Sequence, residues 1–158
     1  MSTDALKTDQ PALPLANVLL IDDRKADIEL ARVFLQVRDR MQFNLKGAHG
    51  AREALEMLEQ TVILGEAIDL LLLDINMPGM DGFELLEAVR RDAALKHLAV
   101  VMCTGSTYDQ DQGRAKALGA AGYMVKPASL AQLRPMLIAI PTLKLESEGE
   151  EVRLLRAA

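Results

Sequence analysis

A chain of 158 residues, half of them apolar, makes one domain with a short appendage, and a domain that size buries roughly 68–70% of its unfolded surface without needing a metal or disulfide. Lys and Arg number 18 against 23 for Asp and Glu, a net charge of −5, and the aromatics Phe34, Phe43, Phe83, Tyr108 and Tyr123 are scattered, which argues against nucleic acid as the partner. The lone cysteine, Cys103, excludes an internal disulfide; the N-terminus lacks an apolar leader core, and no run nears the ~18 residues of a membrane span, so a cytoplasmic protein is expected.

Residues 1–14, polar and interrupted by Pro11 and Pro14, read as a flexible lead-in. The run Val18-Leu-Leu-Ile21 stops at Asp22-Asp23, and Ile28, Ala31, Phe34 and Leu35 then recur at helical spacing. A weaker strand is predicted over Met41–Leu45, followed by a helix with Ala51, Ala54, Leu55 and Leu58 on one face. Beyond a long connection from Gln60 to Ile68, the run Leu70–Leu73 ends at Asp74 and leads through a Pro/Gly-rich turn into a helix from Phe83 to about Arg91. Ala99–Cys103 ends at Thr104, Arg114–Leu118 is helical in pattern, and Tyr123-Met-Val125 ends at Lys126-Pro127. A last helix starts after Ser129, where Gln132 has the spacing of a capping box, and Pro135 is expected to interrupt it. Alternating strands and helices predict an α/β domain over residues 15–140. Its expected architecture is a flavodoxin-like (βα)5 fold, a doubly wound parallel sheet of order 2-1-3-4-5.

In such a sheet ligands bind beyond the carboxyl ends of the strands, at the switch in strand order, so Asp22, Asp23 and Asp74 should converge there. Three carboxylates repel one another, and a divalent cation relieves them. An all-oxygen set with no cysteine or histidine at zinc spacing favours Mg²⁺ or Mn²⁺. Three carboxylates, the dication and Lys126 sum to nearly zero charge, a site able to receive a phosphoryl group, and a central carboxylate can be its nucleophile. Asp22-Asp23 alone would more simply cap a helix, and Thr104 and Lys126 are individually ordinary; their coincidence at successive strand ends carries the reading. His49, His97 and Cys103 receive no part in it.

With Val18-Leu-Leu-Ile-Asp22-Asp23, Leu72-Leu-Asp74-Ile-Asn76-Met-Pro-Gly-Met-Asp-Gly82, Thr104-Gly105 and Gly119-Ala-Ala-Gly-Tyr123-Met-Val-Lys126-Pro127 in order, the sequence resembles the receiver domain of two-component response regulators over about residues 16–140. The resemblance implies that Asp74 is the phosphoacceptor, that Asp22, Asp23, Asp74 and the backbone carbonyl of Asn76 serve the metal, and that Thr104 and Lys126 contact the phosphoryl group. It further implies a cis Lys126–Pro127 peptide and a switch formed by Thr104 and Tyr123. Gly105 stands where Ala is common, and Ala128 replaces a frequent Phe.

The expected function is a phosphorylation-dependent signalling switch, charged by a histidine kinase or phosphotransfer protein and acting by protein contact or as a phosphorelay. Two alternatives stand beside it. A phosphate-independent interaction module would ordinarily lack one of the acids or the lysine, whereas an aspartyl-phosphate phosphatase would want an acid where Asn76 stands. The long Gln60–Ile68 connection resembles that of stand-alone receivers partnered with bacterial phytochromes. Residues 141–158 form a C-terminal extension too short for a DNA-binding fold. Their pattern fits a hairpin that reaches across a homodimer, because Pro135 and Pro141 would bend it away from its own sheet, or else a frayed acidic tail.

Overall fold

The computed structural model describes residues 12–105 and 109–157. In chain order its elements are β1 (Asn17–Ile21), α1 (Lys25–Arg32), continued by a wider π-helical stretch Val33–Arg38, β2 (Met41–Gln42), β3 (Asn44–Ala48), α2 (Ala51–Leu64) and β4 (Leu70–Asp74). There follow α3 (Gly82–Arg91), β5 (Ala99–Thr104), α4 (Asp109–Ala117), β6 (Gly122–Val125), α5 (Leu130–Ile138), β7 (Leu143–Glu148) and β8 (Glu151–Arg156).

Five of these strands form a parallel sheet in the order β3-β1-β4-β5-β6, the expected 2-1-3-4-5 arrangement. Strand side chains alternate between its faces. Val18 and Leu20 of β1 join Ile28, Ala31 and Leu35 of the first helix and Leu130, Leu133 and Leu137 of α5 in one core. Leu19 and Ile21 join α2, α3 and Ala115 of α4 in the other. Both faces are covered, so the inner strands are apolar throughout, and Leu70–Leu73 are all at most 1% exposed.

The predicted strand over Met41–Leu45 is in fact two. β2 leaves the main sheet and pairs in parallel with β8, while β3 begins at Asn44 and runs on to Ala48 beside β1. The apolar run did not reveal the break because Met41 and Phe43 are both buried, in the core they share with the C-terminal segment. The Gln60–Ile68 connection is also shorter than its composition suggests. α2 continues to Leu64 and ends on Gly65, whose φ of +70° is the left-handed cap that glycine adopts most easily. Pro135 lies within α5 without ending it. The carbonyl that loses its bond there, four residues back, belongs to exposed Ala131, which water can reach.

β7 and β8 form an antiparallel hairpin over Gly149-Glu150, with Gly149 at φ +62° in the region hairpin turns favour. Its partner strand lies in its own chain: β8 joins β2 and β7 in a second, three-stranded sheet, and Leu15 bridges Leu155. Pro14 and Ala16 also bond this strand, through Arg156 N–H to Pro14 O (2.9 Å) and Ala16 N–H to Leu154 O (2.8 Å). The expected lead-in therefore reaches ordered pairing by Pro14; residues 1–11 lie outside the described part.

Candidate functional site

Parallel hydrogen bonding brings the carboxyl ends of β1, β4, β5 and β6 to one edge. Asp22 N–H donates to Ala48 O (3.0 Å), Ile75 N–H to Cys103 O (3.0 Å) and Lys126 N–H to Thr104 O (2.6 Å), holding each site residue one step beyond its strand or at its last position. Asp22, Asp23 and Asp74 each offer an oxygen within 4.8 Å of the others. Asp22 and Asp74 are buried, at 2% and 4% exposure, while Asp23 faces outward.

The loop after Asp74 is fixed by Gly82. Its N–H donates to Ile75 O (2.8 Å), and a Cβ at this position would stand 2.3 Å from the Asp74 carbonyl oxygen, so only glycine permits the approach. Asp81 then caps α3 by accepting from Glu84 N–H (2.9 Å), with the Glu84 carboxylate receiving the Asp81 N–H in return. Asn76 lies in the loop between, exposed.

Lys126 centres the electrostatics. Its ammonium donates to Asp22 Oδ2 (2.6 Å) and to Asp27 Oδ2 (3.1 Å) and lies 3.1 Å from Asp74 Oδ1. The bond to Pro127 is cis. Behind it, the Gln132 amide grips β6 through Val125 N–H (3.0 Å) and Val125 O (2.9 Å). That is where the expected capping box departs: Ser129 does accept from Gln132 N–H (3.2 Å), but the Gln132 side chain holds the strand end instead of the helix cap.

Burial pushes the Asp74 carboxyl up to about 6, helped by Asp22 and Asp23 and opposed by Lys126. Burial works to lower the Lys126 ammonium, but the bond to Asp22 and the charges of Asp74 and Asp22 outweigh it and hold its pKa above the ordinary lysine value. Thr104, fully buried at the end of β5, is hydrogen-bonded to Tyr123, whose phenol burial shifts upward. Cys103 is buried with its thiol pushed up to about 12, an inert core group.

The expected residues Asp22, Asp23, Asp74, Thr104 and Lys126 therefore gather at one edge, with Tyr123 against Thr104. The sequence reading missed Asp27. It stands in the first turn of α1, and a helix that starts directly behind a strand end brings its first turn back toward that end; its place five residues after Asp22 is the signal that could have found it. With Asp27 the site has four carboxylates, three of them against the Lys126 ammonium.

Over residues 18–138 the chain matches the family model described as response regulator receiver domain. The chemotaxis protein CheY-3 of Vibrio cholerae is 35% identical over 120 residues, covering 76% of this chain and 87% of that protein. A probable cyclic di-GMP phosphodiesterase of Vibrio cholerae is 31% identical over 122 residues, 77% of this chain, but the match spans 26% of that larger protein. The solved structure of the bacteriophytochrome response regulator AtBRR is similar with a TM-score of 0.70 at 29% identity, over 82% of this chain and 94% of that one.

Proposed function

The chain belongs to the response regulator receiver domain family, and on that footing we propose that Asp74 accepts a phosphoryl group from a histidine kinase or phosphotransfer protein and that Thr104 and Tyr123 carry the resulting switch. The observation that carries this reading is the convergence of Asp22, Asp23 and Asp74, a surplus of negative charge with the Lys126 ammonium beside Asp22 and Asp74. An Asp74 oxygen attacks phosphorus, the bond from phosphorus to the donor breaks, and its electron pair leaves on the donor's nitrogen or carboxylate oxygen. In the hydrolytic discharge, water attacks the same phosphorus and the carboxylate departs as the leaving group, with a proton of the water going to the released phosphate.

The three converging carboxylates are hard oxygen donors of the kind Mg²⁺ and Mn²⁺ prefer, and would hold such a cation together with the backbone carbonyl of Asn76 in the loop after Asp74. A cation bound there supplies positive charge toward the phosphoryl oxygens. Lys126 would donate to those oxygens as well, and Thr104, buried at the strand end and hydrogen-bonded to Tyr123, would contact them through its hydroxyl. Incubation with acetyl phosphate and Mg²⁺ should add one phosphoryl group by intact mass, and a chelator should abolish it. An Asp74→Asn variant that still gains the group would overturn the assignment.

Among the described residues no helix is long and apolar enough to cross a membrane, in keeping with a cytoplasmic protein. The outcome of phosphorylation is contact with another protein or passage of the group along a phosphorelay. A homodimer through the C-terminal region belongs to the same proposal; because the hairpin pairs with β2 and Leu15 of its own chain, it would meet a second copy with its outer face rather than as a free arm. Light scattering that returns the monomer mass at every concentration would rule this out.

A further inference from the structure

Lys126 has a partner that the acid crevice does not explain. An ammonium has three N–H donors, and here each faces a different carboxylate, Asp22 at 2.6 Å and Asp74 and Asp27 at 3.1 Å. Asp22 and Asp74 belong to the group whose oxygens converge within 4.8 Å, and Asp27 does not. A cation and a phosphoryl group arriving there would engage Asp22 and Asp74 and loosen their hold on the ammonium. Asp27 is untouched by that exchange. It is fixed in the first turn of α1, where its N–H donates to Arg24 O (3.1 Å) and the helix N-terminus favours its charge. Lys126 needs such an anchor: its side chain is flexible, 26% exposed, and borders with Asp27 a cleft of ≈ 270 Å³ walled by Leu30, Met124 and Ala128, into which the stem can swing.

We propose that Asp27 is a positioning residue for phosphoryl transfer, the fixed anchor that keeps the Lys126 ammonium at the crevice while Asp22 and Asp74 change partners. This rests on the reading of Asp74 as phosphoacceptor. The consequence is that the ammonium trades carboxylate oxygens for phosphoryl oxygens without leaving its place.

The test compares wild type with Asp27→Ala, Asp27→Asn and Asp27→Glu in three measurements: Mg²⁺ affinity by calorimetry, labelling rate with acetyl phosphate at saturating Mg²⁺, and the NMR signals of the Lys126 Cε methylene in the Mg²⁺-loaded protein. Asp27→Ala should label about tenfold more slowly, as expected of a displaced catalytic contact. Its Mg²⁺ affinity should stay within about threefold of wild type, because the altered charge lies outside the converging group. The two methylene protons should be distinct in wild type and merge in Asp27→Ala. Asp27→Glu should restore both rate and signal, and Asp27→Asn, which keeps an acceptor without the charge, should fall between. Labelling at the wild-type rate in Asp27→Ala, an unmoved Lys126 signal, or a loss of Mg²⁺ affinity that matches the loss of rate would each overturn the anchor. A wild-type protein that takes no phosphoryl group would instead fell the Asp74 reading itself, and the anchor with it.

Discussion

The two ends of the main sheet treat charge in opposite ways. At the carboxyl end, three carboxylates surround one ammonium with a fourth, Asp23, beside two of them, and Asp74 is buried among like charges. At the amino end, Asp69 just before β4 is equally secluded, its side chain 7% exposed, but its oxygens receive the Arg156 guanidinium at 2.8 and 3.1 Å and the Asn17 N–H at 2.7 Å. The amino end is satisfied from within the chain and binds the hairpin to the body of the domain. The carboxyl end is left short of positive charge, which a divalent cation would supply. The comparison teaches that acids of similar seclusion differ by their surroundings: Asp69 is matched by one guanidinium, whereas Asp74 shares one ammonium with other acids.

The largest effect should come from the apolar side of the hairpin joint. Leu154 is 1% exposed in the core shared with α1 and α5, and Leu154→Ala should cost about 3–4 kcal/mol in urea unfolding. A cost below about 1 kcal/mol, the usual effect of an exposed site, would show that the hairpin is not part of the core.

The crevice should respond with the opposite sign. Because the native state holds Asp74 up to about 6, from 3.8, the folded protein retains a proton that the unfolded chain has lost between those values, and stability falls as pH rises through that window. Above it the penalty is complete, up to about 3 kcal/mol at 1.36 kcal/mol per pKa unit. Asp74→Asn should therefore be more stable than wild type at pH 7 in metal-free buffer and equal to it near pH 4. A gap of the same size at both pH values would break the contrast.

Smaller effects separate the joint from its surroundings. Asp69→Asn weakens the paired guanidinium and should cost about 1–2 kcal/mol, within the range for hydrogen bonds to charged groups. Glu150→Ala removes an exposed partner of Arg40 at the hairpin turn and should change stability by less than about 0.5 kcal/mol. Equal losses from the two variants would erase the distinction between joint and surface.

Much of the crevice was legible because its residues sit where a periodic signal stops. The apolar run Leu70–Leu73 is read as a buried strand, and an acid directly after it must lie at that strand's end, whatever the rest of the fold does. The same holds for Asp22, Thr104 and Lys126. Asp27 was not legible in this way, because in an amphipathic helix an acid on the first turn is indistinguishable from a solvated one until the neighbouring strand end is placed. Met41 and Phe43 carried a strand signal that was correct for each residue and silent about the change of sheet between them.

The sequence by itself determined the alternation of strands and helices, the parallel character of the sheet and the position of each acid relative to its strand, because these follow from local periodicity and the covering of both sheet faces; the strand order came from the expected fold type. Even the hairpin's existence was visible in its alternation and its Gly149 turn. Where that hairpin sits was decided only in three dimensions. The expectation that Pro135 and Pro141 would bend it away assumed a broken last helix, but α5 continues past Pro135 to Ile138. The segment then returns beside Met41 and Leu15, where Arg156 meets Asp69 across 87 positions of chain. An ion pair or a core contact between residues so distant leaves no periodic trace in either segment, so only the folded structure could show them together.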